Sequence, residues 1–127
     1  MRSQFLFFAA VSGFIAVAMG AFGAHGLKAI LDADMLAVYK TAVMYQFWHS
    51  LGLGLIAVFQ LHAPTSKRLI QAGWAMLTGI VLFSGSLYLL ALSGIKGLGM
   101  ITPFGGLAFL AAWGLLAGFA YGESPSE

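Results

Sequence analysis

Four stretches of the chain contain no Asp, Glu, Lys or Arg: residues 3–24, 41–66, 69–95 and 97–122. Each is long enough to cross a bilayer, which takes about 20 predominantly apolar residues in helical form. Backbone N–H and C=O groups in hydrocarbon must find partners within their own segment, so these stretches are predicted to be α-helices. The expected fold class is all-α: an integral membrane bundle of four transmembrane helices, forming a single transmembrane domain over residues 1–127. The spans are expected at about 5–24, 41–62, 69–92 and 102–121. The segment from Leu27 to Asp32 is too short to span and is expected at the membrane interface, as a turn or short helix.

Polar and special residues punctuate the pattern. Gly23 and Gly26 suit the end of the first helix. Asp34 is a candidate N-cap for the second, which should run from near Met35 to about Leu61. Pro64 prevents easy continuation. Thr65 or Ser66 can cap the third helix, and Gly94, Gly97 and Gly99 form the next break. Thr102 followed by Pro103 reads as an N-cap with proline at the first helical position. The fourth helix should reach Tyr121, leaving a short polar tail at residues 123–127. Arg2, the apolar run behind it and the small residues around Gly20 also resemble a signal peptide. The expectation is a retained membrane helix.

Composition removes the soluble alternative. Hydrophobic residues make up 61% of the chain and charged residues 8%, against about 25% charged in soluble domains. The net charge of +2 comes from six basic and four acidic residues. The basic residues are too scattered to form a stripe for phosphates, so nucleic acid is not an expected partner. Membrane lipids are, and a homo-oligomer or other membrane proteins remain open. With four spans both termini share one side. Arg2, Lys67 and Arg68 fall on that side, while Lys28, Lys40 and Lys96 fall on the other. The positive-inside count therefore ties. The adjacent Lys67 and Arg68 in a very short loop tilt the expectation towards cytoplasmic termini, with the bacterial cytoplasmic membrane as the location.

Lipid tails offer no hydrophobic drive for helix association, so small residues that allow close approach are candidate contact points. Gly13, Gly20 and Gly79 stand at spacing four from an alanine, and Gly114, Gly118 and Gly122 make a three-glycine stripe. The stripe is expected to face another helix, inside the bundle or across an oligomer interface.

Most groups capable of polar chemistry fall towards the side opposite the termini: His25, Tyr45, Gln46, His49, Ser84, Ser86, Tyr88 and Thr102. Tyr45, Gln46 and His49 lie three or four residues apart and share a helix face. Two readings stay open for this cluster. It is either a ligand or proton site centred on His49, or a set of hydrogen bonds tying helices together. Ser12, Gln60, His62, Gln71 and Thr78 fall in the other half, most of them close to the surface.

No catalytic residue, metal ligand set or cofactor is assigned. The chain has no cysteine, which removes thiolate chemistry and Cys-type zinc sites. No carboxylate lies in any span, so an ion-coupled transporter built on an intramembrane acid is not expected. Haem between His25 and His49 is conceivable. Ser84 has no acid nearby to orient a base.

Four motifs carry a family resemblance. They are Gly20-Ala21-Phe22-Gly23-Ala24-His25-Gly26-Leu27, Tyr39-Lys40-Thr41-Ala42-Val43-Met44-Tyr45-Gln46-Phe47-Trp48-His49, Phe83-Ser84-Gly85-Ser86-Leu87-Tyr88, and Ile101-Thr102-Pro103-Phe104-Gly105-Gly106. In this order, over nearly the whole chain, they resemble the YgdD-like family of small bacterial inner-membrane proteins of unknown function. The resemblance implies a four-helix membrane protein and no activity. The leading functional reading is a non-enzymatic scaffold, accessory or small-ligand- or lipid-binding protein. The alternatives are a transport or channel component acting as an oligomer, and a membrane redox or haem-associated protein.

Overall fold

The computed structural model describes residues 3–122. Arg2 and the polar tail at 123–127 lie outside the described residues. Among those described, four helical segments are long and apolar enough to cross a membrane: Gln4–Leu27, Ala33–Gln60, Lys67–Ser93 and Lys96–Gly122. The first is α1 (Gln4–Phe22) continued by a π-helical turn, Gly23–Leu27. The second is α2 (Ala33–Gln60). The third is α3 (Lys67–Gly79), a π-helical turn (Ile80–Ser84) and α4 (Gly85–Ser93). The fourth combines a 3-10 turn (Lys96–Met100) with α5 (Thr102–Gly122).

Short polar side chains start three of the helices by accepting from otherwise unpaired first-turn N–H groups. Ser3 Oγ takes the Leu6 N–H at 3.2 Å, and Ser66 Oγ takes that of Leu69 at 3.2 Å. The α2 cap is Asp32, whose Oδ1 accepts from Met35 N at 2.8 Å, and not Asp34 as expected. Asp34 sits instead in the first turn, where its charge suits the positive end of the helix dipole. Gly23 and Gly26 do not end the first helix either. The backbone at Gly23 is right-handed, with φ −60°, and the helix widens into its π turn rather than stopping. The segment after it is a turn closed by the Leu31 N–H on the Leu27 carbonyl, at 2.9 Å.

At the end of α4 glycine is required. Gly94 has φ +74° and donates its N–H to the Leu90 carbonyl at 2.8 Å, the left-handed cap that other residues adopt with strain. Thr102 is the first residue of α5 rather than the residue before it. Pro103 falls in the first turn, where a missing N–H leaves no bond unmade.

The second and third spans form the centre of the bundle. In their most apolar stretches 44% and 39% of residues are buried, against 22% and 17% for the first and fourth. Helix α1 packs along α2, and α5 packs along α3 and the π turn after it. One apolar cluster joins Phe5, Leu53, Ile56, Leu69, Met76 and Phe109. A smaller one, at the loop end of α1, gathers Leu27, Tyr39 and Ala91.

The glycines divide by what faces them. A Cβ on Gly79 would collide with the Phe109 ring, one on Gly73 with Phe5, and one on Gly105 with the backbone of Phe83. Gly20 lies against Val43, where a Cβ would sit 3.3 Å away. Gly13, Gly114 and Gly122 have no heavy atom within 4 Å of that position. Gly118 meets only the Arg68 side chain, with Cδ at 3.7 Å. The α5 stripe therefore does not pack inside the bundle, and the glycines that let α5 approach α3 are Gly79 and Gly105. Near the stripe, Arg68 Nη1 donates to the Gly118 carbonyl at 3.0 Å. A cation there suits the negative end of α5.

Candidate functional site

The polar residues grouped by the sequence separate into four arrangements. The largest links α1, α2 and α4. Gln46, 4% exposed, donates from Nε2 to the Ser12 carbonyl at 3.0 Å and lies 3.4 Å from the Ser12 hydroxyl. Its Oε1 accepts from the Tyr88 hydroxyl at 2.6 Å. Ser50 donates to the Gln46 carbonyl one helical turn back, at 2.6 Å, and its Oγ is 2.6 Å from that of Ser12. With the Ser50 hydrogen spent on the carbonyl, the Ser12 hydroxyl supplies the one between them. Every heteroatom of the Gln46 side chain is thus engaged. Such a network fixes the rotation of the three helices about their axes, because a slip would strand polar groups in hydrocarbon.

Ser84 forms the second arrangement, donating to the Ala42 carbonyl on α2 at 2.8 Å. In the third, the Ser86 and Thr102 hydroxyls meet at 2.5 Å, and Ser86 also reaches the Phe83 carbonyl at 3.0 Å. The third and fourth spans are thereby tied at one level. A related contact was not anticipated: the Tyr39 hydroxyl donates to the Met19 carbonyl at 2.5 Å. Its ring occupies the space that a side chain on Gly23 would fill.

His49 stands apart from these ties. Its Nδ1 is 2.7 Å from the Tyr45 carbonyl. A carbonyl only accepts, so the hydrogen is on Nδ1, and in the neutral ring Nε2 carries a lone pair. One face of the imidazole is covered by Phe109, with ring centroids 3.5 Å apart and planes 13° apart. Trp113 meets it edge-on at 5.9 Å. Although His49 is only 6% exposed, it lines a groove of about 640 Å³ with Tyr45, Phe83, Leu107, Phe109 and Trp113. Volumes of this size are typical of small-molecule sites. Gln60, the end of α2, is eleven positions beyond His49, about 16 Å at the helical rise. His49 therefore lies well inside its helix, and the groove runs from there to Pro103 in the first turn of α5.

His25 does not join the others. It is exposed, in the π turn that ends the first span, and shares no hydrogen bond or ring contact with His49 among the described residues. Among those residues no three His, Cys, Asp or Glu side chains come together in a way that could hold a metal. Two network members lie outside the grouping that the sequence suggests. Ser12, in the N-terminal half of its span, is 7% exposed and reaches across to Gln46, and Ser50, 3% exposed, joins it. The i, i+4 spacing of Gln46 and Ser50 was the available signal. Nothing in the sequence marked Phe109 and Trp113 as the walls beside His49.

Fold and site together define a multi-pass membrane protein whose polar interior is largely occupied in holding its helices. Comparison with known proteins gives the family. Residues 19–106 match the family described as "Protein of unknown function (DUF423)". The UPF0382 membrane protein of Staphylococcus haemolyticus is 46% identical, covering 88% of this chain and 90% of the relative. The UPF0382 membrane protein YwdK of Bacillus subtilis is 44% identical over 86% and 89%. The UPF0382 inner membrane protein YgdD of Escherichia coli is 45% identical over 91% and 88%. No solved structure matches. The chain belongs to this DUF423/UPF0382 family of bacterial inner-membrane proteins, whose biochemical function is unknown.

Proposed function

We propose that the protein is a non-enzymatic small-ligand binder that takes an apolar molecule sideways from the bilayer into the groove beside His49. The observation that carries this reading is His49, a polar side chain nine-tenths buried with one ring nitrogen unengaged, lining a groove whose other residues are apolar apart from Tyr45. The remaining buried polar groups are engaged: no buried side-chain N or O among the described residues lacks a hydrogen bond. That favours helix-tying roles for Gln46, Ser84 and Ser86 over catalytic ones, and it leaves His49 as the functional group. Membrane lipids are the pool from which such a ligand would come. The Lys67-Arg68 pair, at the loop end of α3, supports cytoplasmic termini in this scheme.

The test is the set of molecules carried through purification. Wild-type protein in mild detergent should retain one apolar compound above the bulk lipid background. The Gly106→Leu variant, which fills the groove from α5, should lose it while keeping its thermal stability. Identical extracts from the two proteins would end the proposal.

A further inference from the structure

We infer that the groove selects an uncharged, membrane-soluble hydroxyaromatic molecule, with the ligand hydroxyl donating to His49 Nε2. This rests on the groove being a binding site and adds the chemistry of its occupant. The donor to the Tyr45 carbonyl uses the Nδ1 hydrogen, so the edge left for a ligand is the acceptor edge. Nε2 makes no hydrogen bond among the described residues. Since no buried side-chain N or O there is without a partner, Nε2 is not sealed off, and His49 is one of the residues lining the groove. An unpaired acceptor at this depth is unfavourable because hydrocarbon offers it no donor. A ligand bringing one donor removes that penalty.

The rest of the lining sets the other properties. Phe83, Pro103, Leu107, Leu110 and Trp113 offer no charge, and an ion brought here would lose its hydration without gaining a counter-charge. The ligand is therefore neutral. Phe109 already covers one face of the imidazole, and the Nε2 lone pair lies in the ring plane, so the ligand hydroxyl meets the ring at its edge, in the geometry of a hydrogen bond. The aromatic walls, Tyr45 with Phe83 at 4.4 Å and Trp113 beyond His49, favour a flat ring as the body carrying the hydroxyl.

The experiment compares 4-octylphenol with its methyl ether, 4-octylanisole, on the full chain in detergent micelles with ¹⁵N-labelled histidine. The phenol should move the His49 Nε2 resonance upfield while Nδ1 keeps its proton. The exposed His25 and His62 should not respond. The phenol should also bind about fivefold more tightly than the ether, as expected for one net hydrogen bond. His49→Phe should remove that preference. Tyr45→Phe should retain it, and its loss there would assign the bond to the Tyr45 hydroxyl and overturn the inference. Equal binding of both probes with no Nε2 response would overturn the hydroxyl inference alone. Failure of either probe to contact the Leu107 and Leu110 methyl groups would overturn the groove reading as well.

Discussion

Two seams hold this bundle, and they use different physics. Where α1 meets α2, the joint is polar: Ser12, Gln46 and Ser50 exchange hydrogen bonds, and Tyr88 closes the set from α4. Where α5 meets the third span, the joint is steric: Gly79 receives Phe109 and Gly105 lies against the Phe83 backbone. In water both helix pairs would be driven together by burial. In lipid that drive is missing, so the first seam relies mainly on pairing polar groups and the second mainly on close fit, with the Ser86–Thr102 and Arg68–Gly118 hydrogen bonds added towards its two ends. A hydrogen bond between membrane helices contributes on average about 0.6 kcal/mol, because the separated helices also find partners. A side chain forced into a filled contact costs roughly 1–3 kcal/mol. The steric seam should therefore be the less forgiving one.

The comparison can be broken at its strongest point first. Gly105→Ala should destabilise by at least about 2 kcal/mol in a detergent unfolding titration, because the added methyl meets backbone that cannot rotate away. Gln46→Leu keeps the volume but strands the Tyr88 hydroxyl. It should lose about 1–2 kcal/mol by the same measurement, with Tyr88→Phe in the same background recovering part of the loss. A larger effect for Gln46→Leu than for Gly105→Ala would reverse the ranking of the seams. Ser84→Ala removes one interhelical bond to the Ala42 carbonyl and should cost about 0.6 kcal/mol. Gly118→Ala should be within about 0.5 kcal/mol of wild type, since its Cβ finds only an ordinary contact with Arg68. A large loss there, dependent on protein concentration, would mean that the α5 stripe meets a second copy of the chain.

The two seams also differ in how far the sequence exposed them. Gln46 and Tyr88 stood out because a polar residue in a span must be paired, and both are in the network. Ser12 was placed by its distance from the helix end, which says nothing about what lies opposite. The glycines were harder. Gly114, Gly118 and Gly122 make the most regular stripe, yet Gly114 and Gly122 meet no neighbour and Gly118 meets only the Arg68 side chain, while Gly105 and Gly73, in no such pattern, sit under neighbours. A water-soluble helix shows its buried face through polar residues on the other side. Apart from α3, these helices are apolar nearly all round, so periodicity gives little direction.

The number of helices able to span a membrane was settled by the chain itself, because entry into hydrocarbon depends on local charge and length and on nothing distant. The same holds for the Ser3 and Ser66 caps and for the glycine that ends α4, each fixed by bonds within a few residues. Asp32 rather than Asp34 as the α2 cap shows the limit of that locality, a matter of two residues. Which faces meet, and the groove that leaves His49 with one nitrogen engaged and the other free, were decided by tertiary packing. Phe109 and Trp113 reach His49 from a helix more than fifty residues away in sequence, and no local preference encodes that meeting.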